Sequence, residues 1–381
     1  MTSVITVFNS PLHIFIYFKL METLSLYDQK CLKVLANPVL MTHVAEWLNL
    51  IDIQRLRKVC VGIRKCIDTV KPDPHIKTIV VDAVNLDQID LSFRVKNGWI
   101  RIEYRAYWGG CHVRFNGGYA KAVRGEDFLS RCMEDFEICT KNQKGILNVL
   151  RILFSYDLYF QSIPNPAKAD REAMKKLANK FLGMLQETLS SRKYLLKVEY
   201  LDIQSPDQDG VMGVLPSMDP DVLKRIEIEQ VYFDRHRNSM LFDKIANLEQ
   251  WKRAEKLKLS RILLVGTPIQ EMNLFNFKEV DLKMNSISEE DVVYIKNKLL
   301  TCSNFEEFKI RFHRFPITDP LLSSLGPSYY NRDDLFSDQR KIWYFKTQNQ
   351  DRVLHLLFNT SESFIFSSLH IQLVPEDAVL L

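Results

Sequence analysis

The chain has no arrangement of residues that marks a metal centre, a disulfide framework or a common catalytic site. Its seven cysteines (Cys31, Cys60, Cys66, Cys111, Cys132, Cys139, Cys302) are odd in number, and no two stand at C-x-x-C spacing. Scattered thiols argue against a zinc ribbon or a disulfide scaffold and point to a reducing compartment, the cytoplasm or nucleus. The eight histidines stand singly, and neither H-E-x-x-H nor Gly-x-Ser-x-Gly occurs. Catalysis needs a convergent acid, base or nucleophile set, so the expectation is a non-catalytic protein with no metal and no cofactor. Gly109-Gly110 and Asn116-Gly117-Gly118 lack the spacing of a phosphate loop and the Gly-Lys-Ser/Thr that completes one. Charge of one sign is lacking too. Lys and Arg number 51 against 47 Asp and Glu, a net charge of +4, too balanced to imply nucleic acid. Nor is there an unbroken apolar run near the start, because Asn9-Ser10-Pro11 and His13 interrupt Val4–Phe8 and Leu12–Phe18, and no basic residue precedes them. A signal peptide needs a basic start and a continuous apolar centre, and a membrane span needs about 20 apolar residues. Residues 1–34 are therefore expected to be a poorly defined leader, with no membrane partner.

What is present is the composition of a soluble globular protein, 46% hydrophobic and 26% charged over 381 residues, long enough for two or more units. The clearest pattern runs from Leu35 to Thr69. Asn37-Pro38 is a helix start, with Asn at the cap and Pro at the first helical position. Met41, Val44 and Leu48 share one face. Asn49 to Asp52 breaks the pattern, and Asp52 is placed to cap a second helix. In that helix Ile53, Leu56, Cys60, Ile63 and Ile67 recur at steps of three and four. About 35 residues cannot bury so much apolar surface alone, so a partner or the rest of the chain must cover it.

The order of these residues resembles an F-box, the module that docks substrate receptors onto the Skp-type linker of Skp–cullin–F-box ubiquitin ligases. Val44, Trp47-Leu48-Asn49, Asp52-Ile53, Leu56 and Val59-Cys60 occupy the slots of the I-x-x-Y-L-D-x-x-D-L-x-x-L-x-x-V-C pattern. Asn37-Pro38 stands one place later than the usual Leu-Pro opening, and Ile63 occupies a common Trp position. Both features fit a divergent nematode subfamily. The resemblance implies an F-box over residues 35–74, with Pro38, Met41, Val44, Leu48, Ile53, Leu56 and Val59 meeting the linker.

Residues 75–160 read as a small mixed α/β module. His75–Asp82 and Leu86–Phe93 are strand-like, and Trp99–Ala106 alternates with period two, turns at Gly109-Gly110 and returns as Cys111–Phe115. From Glu126 to about Leu158 the apolar spacing is helical, through Phe128, Leu129, Cys132 and Phe136, then Ile146, Leu147, Leu150 and Phe154. Residues 161–170, with two prolines, make a linker, and a helix follows from Asp170 to Ser190.

The second half has a rhythm. An apolar-x-x-apolar-x-apolar triad recurs at Val198/Leu201/Ile203, Leu223/Ile226/Ile228, Ala254/Leu257/Leu259, Phe277/Val280/Leu282 and Phe305/Phe308/Ile310. Helical stretches fall between them at Val211–Met218, Leu241–Glu255 and Ser288–Leu300. One strand and one helix per 20–30 residues predicts a leucine-rich-repeat-like α/β array of parallel strands. The alternation puts Lys256, Lys258, Asp281 and Lys283 on a polar face away from the core, the expected surface for a protein target. The basic run Lys252-Arg253, Lys256, Lys258 has acidic neighbours and reads as a solvated face rather than a nucleic-acid site.

"MDPDVLKRIEIEQ" (Met218–Gln230), "LEQWKRAEKLKL" (Leu248–Leu259) and "FKEVDLKM" (Phe277–Met284) resemble the FTH domain of the nematode F-box A family. The chain is thus expected to be an α+β, α/β multidomain protein: leader, F-box, mixed module, FTH-like array over 170–325 and an extension over 326–381. The resemblance implies a substrate-recognition subunit partnered by a Skp-type linker, through it a cullin, and an unidentified protein target. The alternative is a repeat-type scaffold whose F-box no longer recruits a ligase.

Overall fold

The computed structural model describes residues 37–155, 168–231, 239–262, 267–314, 324–329, 340–359 and 363–381. The leader at 1–34, Cys31 and positions 161–167 of the expected linker fall outside them. The chain divides into two units, one ending at Glu199 and the other beginning at Tyr200.

The described part of the first unit opens on three short helices, α1 (Pro38–Ala45), α2 (Leu50–Leu56) and α3 (Val61–Val70). Asn37 caps α1 as expected, its side chain accepting from Val39 N at 2.9 Å. The second cap is Asn49 rather than Asp52, because Asn49 Oδ1 accepts from Ile51 N at 2.9 Å and Asp52 N at 3.2 Å. Asp52 instead lies in the first turn, where it accepts from Asn49 Nδ2 at 2.6 Å and favours the positive end of the helix dipole. The single second helix expected from Ile53 to Ile67 is in fact two. Cys60 leaves the helical conformation (φ −157°) and caps α3 through its sulfur, 3.4 Å from Ile63 N.

An antiparallel meander follows: β1 (Thr78–Asn85), β2 (Gln88–Val95), β3 (Gly98–Tyr107), β4 (Gly110–Phe115) and β5 (Lys121–Arg124). Its inner face buries Ile79, Val81, Leu91, Phe93, Ile100, Ile102, Tyr104, Cys111 and Val113. Helix α4 (Phe128–Thr140) presents Leu129, Cys132, Met133 and Phe136, all buried. The segment expected to continue as helix through Leu150 and Phe154 is a strand, β6 (Leu147–Leu153), parallel to β1. Leu150, Ile152 and Phe154 alternate into the core, and the β-branched Val149 and Ile152 favour the extended backbone. Helix α5 (Lys168–Ser190) then buries Met174, Phe181, Leu185 and Leu189.

The second unit contains the five triads, apart from Val198, which falls at the end of the first. They fall on β7 (Val198–Ser205), β8 (Arg225–Gln230), β9 (Lys256–Ser260), β10 (Glu279–Ser286) and β11 (Glu307–Arg314), or just ahead of them, and the strands pair in that order, all parallel. Their register is continuous. Leu201, Ile226, Leu257, Val280 and Phe308 form one row across the strands, and Ile203, Ile228, Leu259, Leu282 and Ile310 the next. Every triad residue is buried.

Two of the three expected helices are shorter than expected. Val211–Met218 resolves into α6 (Gln208–Met212) and a 3₁₀ turn, and Leu241–Glu255 into a 3₁₀ turn and α7 (Glu249–Arg253). Between β9 and β10 only 3₁₀ turns occur among the described residues, whereas α8 (Glu289–Thr301), started by the Ser288–Asp291 capping box, joins β10 to β11. The residues after 326 supply β12 (Arg340–Lys346), β13 (Arg352–Asn359) and β14 (Ser363–His370), an antiparallel set in which β14 pairs with β11.

Candidate interaction surfaces

Two surfaces carry the residues singled out in the sequence. In the helical segment, Met41, Ile53, Ile63, Cys66 and Ile67 form the core, with Leu48, Leu56, Val59, Cys60 and Val70 packed against it. The seven expected docking residues therefore divide. Met41 and Ile53 are inside, and Leu48, Leu56 and Val59 lie half-buried at its margin. Pro38 and Val44 face solvent.

Val39, Leu40, Trp47 and Val61 are not among the seven residues expected to meet the linker. All four are exposed, Trp47 at 84% of its surface. The signal was in the sequence. Leu40, Val44 and Trp47 recur at steps of four and three, one position before Met41, Ala45 and Leu48, so the apolar stripe of this stretch is wider than its buried edge.

The second surface is the polar face of the parallel strands. Lys256 stands beside Glu279 and Lys258 beside Asp281, with Lys283 two residues further along β10, opposite Arg311. The structure thus brings Lys256, Lys258, Asp281 and Lys283 onto one face of adjacent strands. It also engages three of them internally. Lys256 Nζ lies 2.5 Å from Glu279 and Lys258 pairs with Glu227, while Asp281 accepts twice from Arg311, at 2.6 and 2.7 Å.

Glu227 is the hub of this face. It also accepts from Tyr200 Oη at 2.6 Å and Arg225 at 3.3 Å. Burial disfavours the Glu227 anion, yet the hydrogen bonds from Lys258 and Tyr200 hold its carboxyl below the usual range. Burial and that same bond push the Tyr200 phenol up. The face carries several charge pairs, and Lys283 on it is exposed. The rest of the basic run is paired as well, Lys252 with Glu249, and Arg253 with Glu249 and Asp221.

Buried ionisable groups elsewhere have structural roles. Arg131 on α4 reaches Asp135 at 3.1 Å, Glu126 at 3.2 Å and Glu134 at 3.3 Å, and Tyr104 Oη donates to Asp135 at 2.8 Å. This network ties α4 to β3 across the core. Burial pushes the thiols of Cys132 and Cys139 up, and that of Cys111 to about 11, so all three remain protonated. The six described cysteines are free thiols. No group of three His, Cys, Asp or Glu that could hold a metal occurs among the described residues. No described helix is long and apolar enough to cross a membrane.

Residues 179–321 match the family model of the FTH domain. This stretch takes in the larger part of α5 and all of β7–β11. No curated protein and no solved structure matches the chain.

Proposed function

We propose that this chain is the substrate-recognition subunit of a Skp–cullin–F-box type ubiquitin ligase, a non-catalytic receptor working in the cytoplasm or nucleus. The observation that carries the reading is the FTH domain at 179–321, preceded by a helical segment with F-box residue order that leaves Val39, Leu40, Val44, Trp47 and Val61 in solvent. Apolar anchors without charge, centred on an aromatic, suit a durable protein interface. The helical segment docks the Skp-type linker and, through it, the cullin. The polar face around Lys256, Lys258, Asp281 and Lys283 takes the target. The receptor makes and breaks no bonds. It raises the effective concentration of target beside the reactive chemistry carried by other subunits.

Val44 and Trp47 give the clean test of docking, because both lie outside the helical core, whereas a charge at half-buried Leu48 also perturbs packing. The double variant Val44→Asp/Trp47→Asp is expected to keep its helical circular dichroism and to weaken linker capture by at least about 100-fold, the loss of a central hot spot with a charge left at a desolvated contact. Undiminished capture by the double variant rejects this face as the docking surface.

Lys283 serves the target face in the same way. Lys283→Glu leaves the pairs of Lys256, Lys258 and Asp281 in place, and is expected to reduce target recovery from cell extract about three- to tenfold. Unchanged recovery removes the target from that face.

A further inference from the structure

Strand β5 is the last strand of the meander, and one side of it is unpaired among the described residues. Its pairing with β4 fixes which backbone groups are spare. Gly125 N donates to Gly109 O at 2.9 Å, and the register continues as Gly110↔Arg124, Cys111↔Val123, His112↔Ala122 and Val113↔Lys121. In an antiparallel ladder bonded pairs alternate with non-bonded ones. Lys121 and Val123 therefore bond to β4, while the N–H and C=O groups of Ala122 and Arg124 point away from it.

The close approach of the two strands makes Gly110 obligatory, since a Cβ there would meet the Val123 carbonyl oxygen at 2.1 Å. The spare edge is thus held by a rigid neighbour.

An open edge invites pairing, and proteins commonly guard one with lysine or arginine. Lys121 and Arg124 could be read that way, but guarding does not account for the aromatics. Trp108, in the turn before β4, is 97% exposed, and Tyr119, in the loop before β5, is 99% exposed. They stand at opposite ends of β5, whose four residues span about 13 Å. The free edge thus has one exposed aromatic at each end.

The charge of the edge is one-sided. Between Gly110 and Arg124 the sequence holds Arg114, Lys121 and Arg124 and no Asp or Glu. Arg114 lies 3.5 Å from Glu103, but Lys121 and Arg124 form no ion pair among the described residues. Burial, and after it the nearby Lys121 ammonium, pull the pKa of Lys58 down to about 8, which puts Lys121 within electrostatic reach of Lys58.

We infer that β5 is a second interaction site, which captures an extended acidic peptide segment by strand addition. The backbone of the segment bonds to Ala122 and Arg124, its carboxylates meet Lys121 and Arg124 on alternate sides, and Tyr119 and Trp108 cover its two ends. Main-chain bonds supply affinity and the flanking side chains supply selectivity, as in other edge-strand recognition. The capture uses none of the residues assigned to the linker or the target, and it needs no ligase component.

The test uses the full chain and a fluorescein-labelled decapeptide of glutamate and valine, read by fluorescence anisotropy. The controls are the same peptide with lysine for glutamate, and a labelled oligothymidylate of similar charge. The glutamate peptide is expected to bind saturably, and the lysine peptide and the oligonucleotide at least about tenfold more weakly. Lys121→Glu/Arg124→Glu should weaken the glutamate peptide by about tenfold or more. Ala122→Pro should do the same, because it removes an N–H that β4 does not use, and edge strands tolerate proline. If Ala122→Pro binds like the parent chain, strand addition is wrong. If the charge variant binds like the parent chain, or the oligonucleotide binds as tightly as the glutamate peptide, the acidic-peptide assignment is wrong.

Discussion

Replacing Arg131 by methionine should lower the unfolding free energy by about 3–5 kcal/mol at pH near 7.5. Methionine refills much of the volume, so the cavity contribution is small. The loss comes from stranding Asp135, whose side chain has 0% exposure and whose cationic partner is Arg131 at 3.1 Å. Burial already pushes the Asp135 carboxyl to about 6, against the opposing attraction of Arg131, from an ordinary value of 3.8. Between those two values the folded chain holds a proton that the unfolded chain has lost. The contribution of Asp135 to stability is therefore fully present below about pH 4 and is lost as pH rises through about 6. Two results follow in guanidinium unfolding. The stability of the parent chain relative to Asp135→Asn falls as pH rises from about 4 to 6.5, then levels off. The Arg131→Met deficit is smaller at about pH 5 than at about pH 7.5, because a protonated Asp135 has less need of the cation. A deficit that does not change with pH would show that Arg131 acts through packing alone.

In the second unit Trp251→Ala should cost about 3–5 kcal/mol by the cavity it leaves, with a further cost of about 1 kcal/mol or more for an orphaned carbonyl. Trp251 is fully buried. Its ring meets Phe277 edge-on at 5.2 Å between centroids and lies 6.0 Å from Phe242, while Nε1 donates to Met272 O at 2.8 Å. One side chain thus joins α7, the turn after β9 and the approach to β10. Trp251→Phe keeps most of the ring burial and loses the hydrogen bond, so it should cost clearly less than alanine. Equal losses for the two variants would place the energy in the hydrogen bond rather than in the packing.

The parallel strands were legible because each triad is local and repeats. Period-two alternation put Leu257 and Leu259 inward, and the tight spacing of the intervals put the strands side by side. The α1 start was legible for the same reason, since Asn37-Pro38 is a short-range signal. What the sequence hid was non-local or ambiguous in period. Ile146, Leu147, Leu150 and Phe154 fit a helix by spacing, and only pairing with β1 makes residues 147–153 a strand. Ile53 through Ile67 keep helical spacing across a break, because Cys60 is apolar enough to continue the pattern and polar enough to cap α3.

Among the described residues the connections after β8 and β9 hold 3₁₀ turns and a short helix, where Trp251, Ile269, Met272 and Leu274 bury themselves in few residues. The site residues were harder to read. Periodicity locates an apolar stripe but does not separate its core-facing members, such as Met41 and Ile53, from exposed ones such as Val44 and Trp47. The ion pairs across β8–β11 depend on register, which no single strand reveals. The FTH domain itself was recognisable from residue order at Met218–Gln230, Leu248–Leu259 and Phe277–Met284, within the 179–321 match.

The receptor reading rests on docking of the helical segment to a Skp-type linker, and isothermal titration of the purified full chain with a purified Skp-type linker tests it most directly. The account predicts a saturable one-to-one complex with a negative heat-capacity change, the mark of apolar burial, and its loss in Val44→Asp/Trp47→Asp. Absence of any complex between the folded parent chain and the linker would contradict it and leave the non-ligase scaffold as the better description.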